Sequence, residues 1–279
     1  ATHTVSYSFF SESGLIAVGV EDECAWTPPI SLAAQIPNAT SGWGTILCDT
    51  YVNGNLVSTN TCTFQLTVPA SVVPSISNVA FSEATSGIAD RFGGYVRTRS
   101  KLSVGITAAG AQGSSISAYR TSIDGVTYSG ASFTTNTLNT AGNLTLTVTV
   151  TDSRGRTAST TRTVSVLDYS PPSLSQFAAE RCNADGTAAQ TYGTKVRISA
   201  KASGSSVGGK NTLACTVYYK LSNAEAWISA VTLTPSDYVI TATNRLLSPT
   251  FDALSSYDIK IRVQDVFYYI EQTVSIGTK

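Results

Sequence analysis

The segment Pro74-Ser-Ile-Ser-Asn-Val-Ala80 recurs as Pro172-Ser-Leu-Ser-Gln-Phe-Ala178, an offset of 98 residues. One immunoglobulin-type sandwich takes about 100 residues, so this offset assigns one sandwich to each repeat. Shorter echoes support a whole-module repeat: Tyr95-Val96-Arg97 against Lys195-Val196-Arg197, and Val148-Thr-Val150-Thr-Asp152 against Ile261-Arg-Val263-Gln-Asp265. Proline stiffens a connection and cannot continue a ladder, so Val68 to Pro74 and Asp168 to Pro172 read as linkers. The chain then divides into an N-terminal β module at 1–70 and immunoglobulin-like modules at 71–168 and 169–279. The first is short for a full sandwich and does not visibly match the repeat.

Strand signals fill these modules. Leu144, Leu146, Val148 and Val150 alternate with Thr145, Thr147, Thr149 and Thr151, a period of two with apolar residues on one face. Leu102/Val104/Ile106, Val196/Ile198/Ala200 and Tyr257/Ile259/Ile261/Val263 alternate in the same way. Asn53-Gly54, Asp124-Gly125, Arg154-Gly155 and Asp185-Gly186 supply tight turns between such runs. The expected fold is all-β: tandem immunoglobulin-like β-sandwich modules in an elongated array, with a radius of gyration above the ~19 Å of one compact globule of this length.

Charge narrows the function. Charged residues make up 13% of the chain, about half the usual share, and hydroxyl-bearing residues take their place, as on a coat or secreted protein. A net charge of zero argues against nucleic acid as a partner. No Lys or Arg precedes Arg91, whereas Glu12, Glu21, Asp22, Glu23, Asp49, Glu83 and Asp90 do; charge drift between repeats explains this, and so does head-to-tail stacking. No apolar run reaches the ~18 residues that cross a bilayer, so membrane insertion is not expected. Methionine is absent even at the start, which suggests a part excised from a longer polypeptide.

Catalytic and metal chemistries find few candidates. Gly204 to Lys210 spells G-x₄-G-K, but Asn211 stands where a phosphate loop has Ser or Thr, and a strand follows instead of a helix. The G-x-S-x-G around Ser206 needs a downstream histidine, and the only histidine is His3. A flexible hairpin loop accounts for both. Glu21-Asp22-Glu23 and Asn183-Ala-Asp185-Gly186 lack a full calcium ligand set. Arg97, Arg99 and Lys101 read as a solvated strand face. Five cysteines cannot all pair, and Cys62 and Cys215 alternate in phase with apolar neighbours, so both are expected to face cores as small hydrophobes. No enzyme activity, cofactor or metal site is expected.

Trp26 to Gly42, Val68 to Pro74, Tyr119 to Gly125 and Thr151-Asp-Ser-Arg-Gly-Arg156 together resemble uncharacterised minor tail or tail-fibre proteins of long-tailed bacteriophages of Gram-positive hosts. The resemblance spans residues 24 to 279. It implies a tail structural protein of the virion, assembled in the host cytoplasm, that acts as a spacer or presents another domain, with other tail subunits as partners. It also implies a role in host attachment, the partner being a cell-wall saccharide or a surface protein. The alternative is a binding module of a bacterial adhesin.

The candidate contact residues are Trp227 and Tyr218 in the third module. Aromatic rings stack on sugar C–H faces, and Tyr218 should face away from the core-directed Val217 and Tyr219. A tryptophan in this fold also often plugs its own sandwich, so Trp227 carries a core reading beside the binding one.

Overall fold

In a computed structural model describing residues 1–277, strands make up 57% of the chain and helix 4%, so the protein is all-β. The N-terminal sheet contains β1 (Thr2–Phe9), β2 (Glu12–Val20), β3 (Ser41–Val52) and β4 (Asn55–Thr67), antiparallel in the order β2-β1-β3-β4. Asn53 and Gly54 close the β3–β4 hairpin with φ of 51° and 78°, the left-handed pair that an Asn-Gly turn supplies. A 3-10 turn, Ile30–Gln35, packs on one end of one face, and there Phe9, Leu32, Ala33, Ile36 and Val68 are buried. Trp26 stacks on Tyr7 at 4.8 Å and meets Phe64 edge-on at 5.5 Å. The Phe64 ring lies over Gly44, where an added Cβ would stand 2.5 Å from it.

Residues 2–67 thus form one partly covered sheet. This overturns one expectation: Cys62 shares a face with Phe64, but the cover reaches only Phe64 and leaves Cys62 exposed. His3 lies on the same face, with Nδ1 3.0 Å from Thr50 Oγ1 and 3.8 Å from Cys48 Sγ.

The next stretch contains β5 (Ser75–Glu83), the short helix α1 (Ile88–Phe92), β6 (Tyr95–Val96), β7 (Leu102–Ala109), β8 (Ile116–Ile123), β9 (Val126–Ser129), β10 (Ser132–Thr134), β11 (Gly142–Asp152) and β12 (Thr157–Leu167). The last contains β13 (Ser173–Cys182), β14 (Lys195–Ser203), β15 (Ala214–Leu221), β16 (Ile228–Leu233), β17 (Val239–Leu246), β18 (Tyr257–Gln264) and β19 (Tyr269–Ile276). Two compact units result: Ala1–Ala84 with Lys101–Asn136 and Asn143–Val164, and Thr85–Ser100 with Thr137–Gly142 and Ser165 onward.

The first unit holds the N-terminal sheet, the sheet β10-β7-β5 and most of the five-stranded sheet β6-β12-β11-β8-β9. Its alternating positions Leu102, Val104, Ile106, Leu146, Val148 and Val150 are buried. Asp152 organises the turn after β11: Oδ1 accepts from the amides of Arg154 (3.0 Å) and Arg156 (2.9 Å), and Oδ2 from Ser114 (3.0 Å). This presents Arg154, itself buried, to the end of the 3-10 turn. Its guanidinium donates to the carbonyls of Ile36 (3.1 Å), Ala33 (2.7 Å), Ala111 (2.6 Å) and Gln112 (2.5 Å). A cation at the C-terminal end of a helical turn is favourable, and here it adds a second donor to the Ala33 and Ile36 carbonyls, which already accept from the amides of Ile36 and Ala39. Arg156 donates to Val68 (2.5 Å), Val72 (2.7 Å) and Pro69 carbonyls in the connecting segment. Gly113, at φ 80°, is required twice, since a Cβ there would also press on the Ala34 backbone at 3.2 Å.

The second unit carries the sheets β13-β14-β17 and β16-β15-β18-β19, sharing one core that includes Phe177, Val196, Ile198, Ile240, Val217, Ile259 and Ile261. Cys215 is buried there, as its phase requires, and burial pushes its thiol up to about 12. Asp265 repeats the role of Asp152: Oδ1 accepts from the amides of Phe267 (2.8 Å) and Tyr268 (2.7 Å), and Oδ2 from Asn211 (3.3 Å). Phe267 then stacks on Phe92 at 5.1 Å and meets Tyr169 edge-on at 4.9 Å, in a cluster with Val96 and Val207.

Two further expectations are corrected here. Arg97 and Arg99 lie on a turn after β6, not on a solvated strand. Arg97 donates to the Tyr169 carbonyl at 2.7 Å and pairs with Asp168 at 3.1 Å, and Arg99 lies 5.0 Å from the Tyr169 ring and 5.1 Å from that of Phe267. Burial pushes the Tyr169 hydroxyl above its ordinary pKa, with Arg99 opposing the rise. The loop at 204–210 is no flexible hairpin either. It joins strands of different sheets, buries Val207 in the aromatic cluster and hydrogen-bonds Ser205 to Ser170 at 2.7 Å.

Candidate functional site

The outward positions of β15, β18 and β19 follow from their inward ones. Cys215 and Val217 point into the core, so Thr216, Tyr218 and Lys220 point out; Ile259, Ile261 and Val263 do the same for Asp258, Lys260 and Arg262. Pairing aligns these rows, setting Tyr218 opposite Lys260, Lys220 opposite Asp258, and Arg262 opposite Glu271. Directly paired residues share a face, so an aromatic and ionic patch is assembled.

Trp227 stands just before β16 and reaches this patch. Lys260 Nζ lies 4.5 Å from its ring centroid and Lys220 Nζ 5.3 Å. The same Lys260 lies 5.5 Å from the Tyr218 ring, so one ammonium links both sequence candidates. Arg262 lies 4.2 Å from the ring of Tyr269, a third aromatic on this face. Trp227 is half-buried against outward-pointing lysines, and the core reading of this residue is set aside.

Ion pairs order the cations. Lys260 meets Glu271 at 3.4 Å, Arg262 meets the same carboxylate at 3.8 Å, and Lys220 meets Asp258 at 3.7 Å. Lys220 also donates to the Ala224 carbonyl at 2.7 Å, and Asp258 accepts from Ser222 at 3.2 Å and Ser275 at 2.7 Å. The loop carrying Trp227 is thereby tied to the sheet. Such contacts are worth about 0.5–2 kcal/mol each and hold the rings in place rather than stabilise the fold. The patch combines rings, charged donors and hydroxyls on strands and on the loop before β16, an arrangement suited to a polar ligand with apolar faces.

Other features lend themselves less to recognition. A cleft of about 180 Å³ beside the 3-10 turn is lined mainly by apolar side chains, among them Phe9, Pro29, Leu32 and Ile36. It falls below the ~300 Å³ at which ligand pockets begin. Among the described residues no cluster of three His, Cys, Asp or Glu could hold a metal. Asp185 instead receives the Thr187 amide and hydroxyl at 2.9 and 2.7 Å, which hold its carboxyl below the usual range.

Sequence reasoning missed Tyr269, Lys260 and Arg262 here, and Arg154, Arg156, Tyr169 and Phe267 in the buried contacts within each compact unit. The first three required knowing that β18 lies between β15 and β19. Of the others, Arg154 and Phe267 had a legible signal, because the aligned residues Asp152 and Asp265 each precede a turn and accept from the amide of its second residue, Arg154 or Phe267.

Solved structures similar to this chain include three N-terminal domains of the bacteriophage RB49 outer capsid protein Hoc, at 11% identity over 99% of this chain and 85% of that one, with a TM-score of 0.34. They also include a bacterial ice-binding adhesin, at 13% over 100% and 86% with a TM-score of 0.36, and a two-domain fibronectin type III segment of chicken tenascin, at 14% over 73% and 99% with a TM-score of 0.25. No curated protein matches the chain. Residues 1–279 match the model of the family described as "Siphovirus protein of unknown function (DUF859)", and the chain belongs to that family.

Proposed function

We propose that this chain is a non-enzymatic structural protein of the phage tail, built as modules 1–70, 71–168 and 169–279, which binds a saccharide of the host cell wall through Tyr218 and Trp227. The siphovirus family supports a virion component. The observation that carries the attachment role is Trp227 lying over Lys220 and Lys260 on an outer sheet face, beside Tyr218, instead of filling the core. A sugar ring stacks on such an indole while the neighbouring cations and hydroxyls orient it. The buried turns at Asp152 and Asp265 support the presenting role, because each supplies its module's docking residue. Five unpaired thiols suit assembly in the reducing host cytoplasm.

The test is co-sedimentation of the purified chain with walls of a susceptible host. Trp227→Ala and Tyr218→Ala are compared with the parent after thermal melts show that both fold. At least a tenfold loss of affinity is expected for Trp227→Ala. No binding by the parent, or equal binding by both variants, removes attachment from this face.

A further inference from the structure

The N-terminal sheet ends in two strands, β2 and β4, that are defended very differently against pairing with other chains. Along β2, two register shifts interrupt the ladder with β1, at His3/Thr4 and Val5/Ser6; Gly19 adopts φ 70°, and Glu21-Asp22-Glu23 follow at once. Bulges, twist and charge are the usual means of blunting an edge. β4 has one shift, at Val57 near its start, and no charge. Its thirteen residues, Asn55–Thr67, include no acid, base, proline or glycine, and from Ser58 to Thr67 they pair with Thr50 to Ser41 without a shift. Most are exposed, and β4 is the terminal strand of its sheet.

We infer that β4 is an assembly edge, taken by β4 of a second copy of this chain in antiparallel pairing about a two-fold axis. The sequence of β4 favours its own copy as occupant. Pairing a strand with itself brings identical charges close, which is harmless only where there are none, and β4 has none. A charged partner strand would find nothing complementary here. Thr59, Thr61 and Thr63 share one face, and an axis near Thr61 sets Thr61 opposite its symmetry mate and Thr63 opposite Thr59, cross-strand Thr pairs that favour a sheet. About that axis the straight stretch overlaps its mate from Ser58 to Phe64 and supplies about seven backbone hydrogen bonds, within the range of a specific interface. Pairing through β2 would instead carry the acidic Glu21–Glu23 segments of both copies onto one sheet. An isologous contact also closes, giving a dimer and no fibre.

The experiment is sedimentation equilibrium of the full chain from 1 to 100 µM, with hydrogen exchange measured at both ends of that range. The expected result is a dimer whose extra amide protection maps to 58–64. Thr61→Lys, at an exposed position, sets two lysines face to face and should weaken dimerisation at least tenfold. Leu15→Lys, which adds the same charge on β2, should leave it unchanged. A monomer throughout, a dimer that survives Thr61→Lys, or protection confined to another strand overturns the inference. Hydrogen exchange decides the question even if a lysine variant fails to fold.

Discussion

Replacing Arg154 by methionine keeps the apolar stem and removes a guanidinium that donates to four carbonyls, of Ala33, Ile36, Ala111 and Gln112, from a side chain only 8% exposed. Charge-assisted hydrogen bonds contribute about 1.5 kcal/mol or more each. Freeing the side chain returns about 2 kcal/mol of entropy, and water reaching the outer carbonyls offsets part of the rest. The remaining cost is about 3–4 kcal/mol, borne where the 3-10 turn meets the turn after β11. Arg156→Met, with a more exposed side chain, should cost about 1–2 kcal/mol. The assay is urea dependence of hydrogen exchange over residues 30–36, read at low and high salt. Bonds to neutral carbonyls are screened little, so the loss should persist at 0.5 M salt. Arg154→Met within 1 kcal/mol of the parent would refute the reasoning.

Thiol labelling at pH 8 should modify the exposed Cys24 and Cys62 quickly and Cys215, held protonated by burial, only after unfolding. Fast labelling of Cys215 in the native protein would contradict the phase assigned to β15. Asp185 and Asp252 both have pKa values lowered mainly by backbone amides, of Thr187 and Leu254. Their contribution is present above the unfolded carboxylate value of ~3.9 and is lost as pH falls through the lower folded values. Melts between pH 5 and 2 should therefore decline less steeply in Asp185→Asn with Asp252→Asn than in the parent. Phe267→Ser should loosen the cluster of Phe92, Tyr169 and Val207, seen as faster exchange around residues 92–96 with the β15–β18 core unchanged.

Much of the sandwich architecture was legible because period two and a repeat are local signals. The repeat even encodes a bulge: the ladder shifts between Ile76 and Asn78 and again between Leu174 and Gln176, with Ser77 and Ser175 each donating across to a neighbouring carbonyl. Phase tells which face a residue takes but not whether anything covers that face. Cys215 and Cys62 have the same pattern, and only the first has a second sheet above it. Charge pattern failed at Arg97 and Arg99 for a related reason. Alternating arginines look solvated until Tyr169 and Phe267, remote in sequence, arrive beneath them. At the candidate site Tyr218 was placed by alternation alone. Its companions Lys260 and Tyr269 depended on strand order, which no local pattern contains.

The chain holds three indoles, and their N–H signals separate the binding account from its rivals. Trp26 is packed on Tyr7 and Phe64, Trp43 is 64% exposed on the N-terminal sheet, and Trp227 lies over Lys220 and Lys260. In a nitrogen-15 titration with soluble fragments of host-wall polysaccharide, the account predicts a saturable shift of the Trp227 indole, lost in Tyr218→Ala, with Trp26 and Trp43 unmoved. A shift confined to Trp43, or none at any indole up to millimolar fragment, contradicts it.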